Sequence, residues 1–163
     1  MTTSEGLSTI HDAFVIERTY LTPIERVFRA FADANMKRRW FVEGDGHDVE
    51  LFEMDFRVGG FERFQYRFKN GTPFEGVAVA NEGTYHDIVP DRRIVFTSTM
   101  RLGDKRISSA LVTVAFLPSD AGTDVVCTHQ AAYFDGADGP QIRLLGWRSL
   151  FEKLAHALAN ESE

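Results

Sequence analysis

A chain of 163 residues fits one domain, or one domain plus a short tail. With 44% hydrophobic and 26% charged residues it can bury a core under a soluble surface, and a net charge of −6 excludes electrostatic binding to nucleic acid, which needs a clustered basic patch. Lone Cys127 rules out an internal disulfide framework and a cysteine-rich zinc site, while no apolar run approaches the roughly 18 residues of a membrane span.

Met1 to Thr9 is polar and small and lacks the basic start and apolar stretch of a signal peptide, so residues 1–10 read as a disordered tail, 11–163 as the domain, and the cytoplasm as the compartment. From Phe14 to Tyr20 the alternation of Phe14, Ile16, Arg18 and Tyr20 against Val15, Glu17 and Thr19 predicts a strand. Thr22 then reads as an N-cap, with Pro23 at the first helical position and Glu25 three residues beyond the cap. Ile24, Val27, Phe28 and Phe31 follow at helical spacing, and Asp33 caps a second short helix from Asn35 to Trp40. The basic run Lys37-Arg38-Arg39 reads as a solvated face of that helix.

Extended segments follow. Val49 to Met54 leads to Gly59-Gly60, which permits a sharp bend, with Arg57 before it as half of a structural ion pair. Phe61 to Phe68 alternates cleanly, with Phe64, Tyr66 and Phe68 on one face and Arg63, Gln65 and Arg67 on the other. Asn70-Gly71 is a hairpin signal, and Phe74 to Val89, Arg93 to Leu102, Ile107 to Leu117 and Thr123 to Tyr133 complete the strands. A last helix from about Gln141 to Ala159 carries the apolar stripe Leu144, Trp147, Phe151, Leu154 and Leu158, with Arg148, Glu152 and Lys153 on its far face.

This order of elements specifies an α+β fold with an antiparallel sheet and helices on one side. One helix cannot cover six or seven flat strands, so the sheet must curl around it, and such a wrap leaves room for a cavity. Several segments also match one family pattern in order. They are Phe28-Arg29-Ala30-Phe31-Ala32-Asp33 with Trp40-Phe41, Arg57-Val58-Gly59-Gly60-Phe61, Gly83 to Pro90 with Arg93 to Thr97, Gly122-Thr123 and Gly146-Trp147. The chain resembles the SRPBCC (START-like, birch-pollen-allergen-like) superfamily, in the branch related to the C-terminal domain of the activator of heat shock protein 90 ATPase. The resemblance runs from about Ala13 to Leu158 and implies a helix-grip fold. It leaves activity open, since the superfamily holds lipid carriers, receptors and polyketide cyclases alike.

Fourteen Phe, four Tyr and two Trp are a heavy aromatic load, available for filling a core or lining a pocket. Trp40, Phe64, Tyr66, Trp147 and Phe151 are the candidate cavity rings. The place of the second helix near a cavity mouth, which motivates Trp40, is what the resemblance implies. Leu144 joins them from the helix stripe. Cys127 and His129 stand two apart on one strand and share a face, about 7 Å apart by the strand rise, too far for a direct thiolate–imidazole pair. Both read as cavity-side residues, not as catalytic ones. The five histidines have no tight ligand spacing, and pairs such as Glu50/Glu53 and Asp87/Asp91 read as solvated edges, so neither metal nor cofactor is expected.

The function expected from these residues is noncatalytic binding of a small apolar or amphipathic molecule, without membrane insertion. A cyclase- or hydrolase-like enzyme using His129 or Tyr66 is one alternative. A homodimeric or cochaperone-like interaction module, with a chaperone as partner, is the other.

Overall fold

A computed structural model of the chain describes residues 8–161. Seven strands form one antiparallel sheet in the order β1-β7-β6-β5-β4-β3-β2. They are β1 (Ile10–Tyr20), β2 (His47–Met54), β3 (Phe61–Phe68), β4 (Ala78–Val89), β5 (Arg93–Leu102), β6 (Lys105–Ser119) and β7 (Gly122–Tyr133). Between β1 and β2 lie α1 (Ile24–Ala32) and α2 (Ala34–Lys37), the latter continuing into a π-helical turn over Arg38–Val42. The chain ends on α3 (Pro140–Glu161), which the curved sheet grips. This is the α+β architecture expected from the order of elements, in the helix-grip form that the resemblance implies.

Register explains the differences in boundary. β1 starts at Ile10, not Phe14, because it pairs with β7 along its whole length, from Ile10 opposite Tyr133 to Tyr20 opposite Thr123. An edge strand needs only backbone partners, so polar His11 and Asp12 do not end it. Before it, Ser8 donates from both its amide and its hydroxyl to Asp135. The expected frayed tail otherwise falls on residues 1–7, which lie outside the described residues.

Two turn readings are corrected. Thr22 is not the cap of α1. Pro23 occupies that position, its carbonyl accepting from the amides of Arg26 and Val27, while the Thr22 carbonyl is held by the Thr123 hydroxyl at 2.7 Å. The second cap is as expected, with the Asp33 carboxylate accepting from the Met36 amide. Asn70-Gly71 does not make a two-residue hairpin either. The β3–β4 connection runs on to Val77 as a chain of turns, so β4 begins at Ala78 and Phe74 sits in the loop.

Sheet curvature has local causes. Bulges interrupt β2 between Val49 and Leu51, β4 between Tyr85 and Asp87, and β6 at Ile107, opposite Met100 and Arg101. The bend before β3 uses Gly59 at φ +86° and brings Gly60 so near the Asp55 carbonyl that a side chain there would collide with it. Arg57 pairs with Asp55 at 2.8 Å across this bend.

The core lies between the concave sheet face, α1 and α3. Trp147, Phe151, Leu154 and Leu158 are buried along α3, while Leu144 is only half-buried. The Tyr20 hydroxyl donates to the Phe151 carbonyl and Arg26 to the Leu158 carbonyl, tying α3 to the opening elements. Lys37 reverses the expectation of a solvated basic face. It is 2% exposed, with its Nζ 2.5 Å from Glu62 on β3, and Tyr85 donates to the same carboxylate oxygen.

Candidate ligand cavity

Inside the grip, between the outer half of the sheet and the first half of α3, is a cavity of about 510 Å³. Its floor is the concave face of β3, β4 and β5, where alternate residues point inward: Phe64, Tyr66 and Phe68, then Val79 and Asn81, then Phe96, Ser98, Met100 and Leu102. His129 closes one side from β7, and Phe41 another from the π-helical turn. α3 forms the roof through Ile142, Arg143, Gly146, Trp147 and Leu150. Phe74 and Ile142 both line the cavity, yet are 57% and 61% exposed, which marks its mouth.

Gly146 stands at the exposed edge of the roof, where it borders the cavity, and a Cβ built there would meet nothing within 4 Å. Glycine in a helix interior costs about 1 kcal/mol relative to alanine, so this missing side chain is not what helix formation alone favours.

Four of the eight residues singled out in the sequence, Phe64, Tyr66, His129 and Trp147, are in the cavity wall. The other four are not. Phe151 is 1% exposed and packs beneath Trp147, with ring centroids 6.1 Å apart. Trp40 is held in the core by an indole hydrogen bond to the Ala30 carbonyl at 2.8 Å, and its edge borders a separate cleft with Met36, Arg39 and His156. Cys127 shares the face of His129 but lies one pair further into the packed core. Leu144 is turned aside from the cavity by the helical spacing that brings Arg143 and Trp147 into it.

The electrostatics of the wall are closed on themselves. Arg143 is buried and bound twice to Asp138, at 2.8 and 2.7 Å, and once to the Ser108 hydroxyl at 3.0 Å. Behind Phe41 and Phe96 lies the Lys37–Glu62–Tyr85 cluster, with the ammonium 4.6 and 5.2 Å from the centroids of those two rings. His129 is 1% exposed, stacked on Phe14 at 4.6 Å and 5.7 Å from Trp147. Burial, reinforced by the Arg143 guanidinium and opposed by Asp138, takes its pKa down to about 4, so the ring is neutral near pH 7. Its Nδ1 has no hydrogen-bond partner among the described residues, and neither has the buried Tyr133 hydroxyl. Desolvation pushes the Cys127 thiol up to about 12, far from a nucleophilic thiolate. Burial also raises the Tyr66 phenol.

A wider depression of about 810 Å³ on the opposite, convex face is lined by polar side chains such as Arg63, Gln65, Glu82, Arg101 and Arg106. It is a hollow of the solvated sheet surface, and its polar lining sets it apart from the apolar cavity under α3. Among the described residues no three His, Cys, Asp or Glu side chains gather as metal ligands, and no helix is long and apolar enough to cross a membrane.

Arg143, Asp138, Asn81, Ser98 and Phe74 are the wall residues that sequence reasoning missed. Inward alternation along β4 and β5 could have found Asn81 and Ser98, since they stand in step with Val79 and Phe96. Nothing local marked Arg143, whose partners Asp138 and Ser108 are brought to it by the loop before α3 and by β6.

Residues 21–159 match the family described as Activator of Hsp90 ATPase homolog 1-like protein. Among solved structures, the chain is similar to the Mll3558 protein from Rhizobium loti, with 46% identity over 93% of this chain and 99% of that one and a TM-score of 0.82. It is similar to a protein from Rhizobium leguminosarum at 36% identity, over 94% and 98% of the two chains, with a TM-score of 0.87. An AHSA1-like protein from Aeromonas hydrophila shares the fold at 21% identity, covering 93% and 94%, with a TM-score of 0.68. No curated protein matches the chain.

Proposed function

Since the chain belongs to the Activator of Hsp90 ATPase homolog 1-like family, on a helix-grip fold, we propose that it binds a small apolar or amphipathic molecule inside the grip without transforming it. The observation that carries this reading is the cavity itself. Its roughly 510 Å³ lies within the range of small-molecule sites, and its wall is mostly aromatic and aliphatic with a few convergent polar groups. The polar groups favour holding over turnover. A Cys127 thiol pushed up to about 12 does not attack, and a His129 ring with its pKa near 4 is a weak base at neutral pH. A cytoplasmic binding protein fits this reading.

The test is a thermal-shift screen of uncharged polycyclic and aromatic compounds, together with mass spectrometry of molecules released from the gently purified protein. A ligand at 100 times its Kd adds about 2.7 kcal/mol to stability. At roughly 2–4 °C per kcal/mol, a true ligand raises the melting temperature by about 5–10 °C. A broad screen with no shift and no released molecule removes the reading.

A second reading rests on the family description, which points to a chaperone as partner. Adding the chain to an Hsp90 ATPase assay separates the two. Stimulation that persists with the cavity filled would favour the interaction module.

A further inference from the structure

We infer that the cavity recognises an uncharged molecule, through an acceptor oxygen of the ketone, ester or ether kind set against the side-chain amide of Asn81. The inference rests on the ligand-binding reading above and names the ligand's chemistry. Charge is excluded first. Arg143 faces the cavity, but its guanidinium is engaged twice by Asp138 and once by Ser108. Lys37 and Glu62 are consumed by each other and by Tyr85 behind the wall. A ligand carboxylate would shed its water to meet a cation whose charge Asp138 already compensates, and a ligand ammonium would meet no free carboxylate.

The second step concerns what the wall still offers. Asn81 on β4 and Ser98 on β5 are buried polar residues at the cavity floor. The Ser98 hydroxyl donates to Asn81 Oδ1 at 2.5 Å, which fixes the direction of the amide. Oδ1 is occupied, and the two Nδ2 hydrogens have no protein acceptor among the described residues. An amide donor that opens onto the cavity is met by an acceptor when a ligand displaces its water, so the ligand atom placed there is an oxygen that accepts. Around it the floor is apolar. Phe64 and Met100 are the cross-strand neighbours of Asn81, so the body of the ligand lies against a ring and a thioether chain.

The experiment compares two matched trios, one on benzophenone, diphenylmethane and 4-benzoylbenzoate, the other on 9-fluorenone, fluorene and 9-fluorenone-2-carboxylate. Affinities are measured by quenching of tryptophan fluorescence, since Trp147 lines the cavity. The ketone of at least one trio is expected to bind about tenfold tighter than its hydrocarbon, the worth of one buried hydrogen bond. It should bind roughly a hundredfold tighter than its carboxylate, which would bury an unpaired charge. In ¹⁵N-labelled protein the Asn81 side-chain amide signals should shift with the ketone and not with the hydrocarbon, a readout that needs no variant. Asn81→Leu should equalise ketone and hydrocarbon, while Ser98→Ala, which keeps the amide hydrogens but lets the amide turn, should weaken the preference without removing it. Carboxylates binding as tightly as ketones would overturn the inference and leave the cavity a binding site. So would ketone and hydrocarbon binding equally, or ketone binding with the Asn81 amide signals unmoved. If no member of either trio binds while the broad screen finds a ligand, this inference fails alone; if the screen finds none and no molecule is released, the ligand-binding reading fails with it.

Discussion

Aromatic rings run along the whole concave face, but its two halves use them differently. In the half under α1 and the second half of α3, Phe28, Phe31 and Phe116 meet edge to face with centroids 5.2 Å apart, Trp40 caps Phe31 at 4.9 Å, and Phe151 closes the stack. In the half under the start of α3, Phe64, Tyr66 and Phe68 run along β3 at 5.9 and 5.6 Å from ring to ring, and no ring of α3 interdigitates with them beyond Trp147. Composition is the same on both sides; what differs is the covering layer. Where α3 presents Phe151, Leu154 and Leu158 the space is filled, and where it presents Arg143, Trp147 and Leu150, with exposed Gly146 beside them, it stays open. An aromatic excess in a sequence is therefore evidence of a pocket only together with a covering element that leaves some of the rings uncovered.

The sharpest ways to break this comparison lie in the packed half. Phe151→Ala should cost about 3–5 kcal/mol in urea unfolding, because the cavity it leaves cannot collapse. Lys37→Met should cost a similar amount, about 3–5 kcal/mol, by stranding the Glu62 carboxylate in the core. The double change Lys37→Met with Glu62→Leu should recover much of that loss. If Lys37→Met is neutral, the ion pair is not the buried fixture described above.

An intermediate effect belongs to His129, at the border of the two halves. Its folded pKa near 4 lies below the ordinary 6.5, so above pH 6.5 both folded and unfolded rings are neutral and stability is unaffected. As pH falls from 6.5 toward 4, the unfolded ring takes up a proton that the buried ring between Phe14 and Trp147 refuses. Stability then drops by up to about 3 kcal/mol, at 1.36 kcal/mol per pH unit. His129→Phe should flatten this part of the pH–stability curve, and a curve unchanged by the substitution would contradict the assignment. Smaller effects are expected in the open half. Tyr66→Ala should cost only about 1 kcal/mol, since one side of its ring already faces empty space. Gly146→Ala should stabilise the protein by about 0.5–1 kcal/mol, since a methyl group enters open space and the helix gains. A loss there would mean that the roof has no room.

How much of this was legible in the sequence follows from how local each feature is. The strand Phe61–Phe68, the strand Arg93–Leu102 and the stripe of α3 were readable because periodicity is a property of neighbouring residues. The inward set of Phe64 and Tyr66 follows from the same alternation. Lys37 was misread because its partners, Glu62 and Tyr85, reach it only through the fold, and a basic triplet by itself looks solvated. Trp40 was assigned to the cavity from the implied place of the second helix and Phe151 from its place on the α3 stripe, although the choice between core and wall depends on which side chains stand opposite. Arg143 and Asp138 escaped notice for the same reason, because their bidentate contact with each other means little until both are seen to be buried at the rim of one space.

Gly146 gives the most direct access to the central claim, that the space under α3 holds a ligand. The measurement is the melting temperature of the wild-type chain and of Gly146→Met, each with and without the strongest compound from the thermal screen. Gly146→Met sets a flexible apolar chain at the edge of the cavity, where it obstructs entry, and starts from a position where a Cβ meets nothing, so the variant should fold and melt cooperatively. At 100 times its Kd the compound should raise the wild-type melting temperature by about 5–10 °C and leave the variant unmoved. An equal rise in both proteins would contradict the claim, because it would put the binding site outside the cavity.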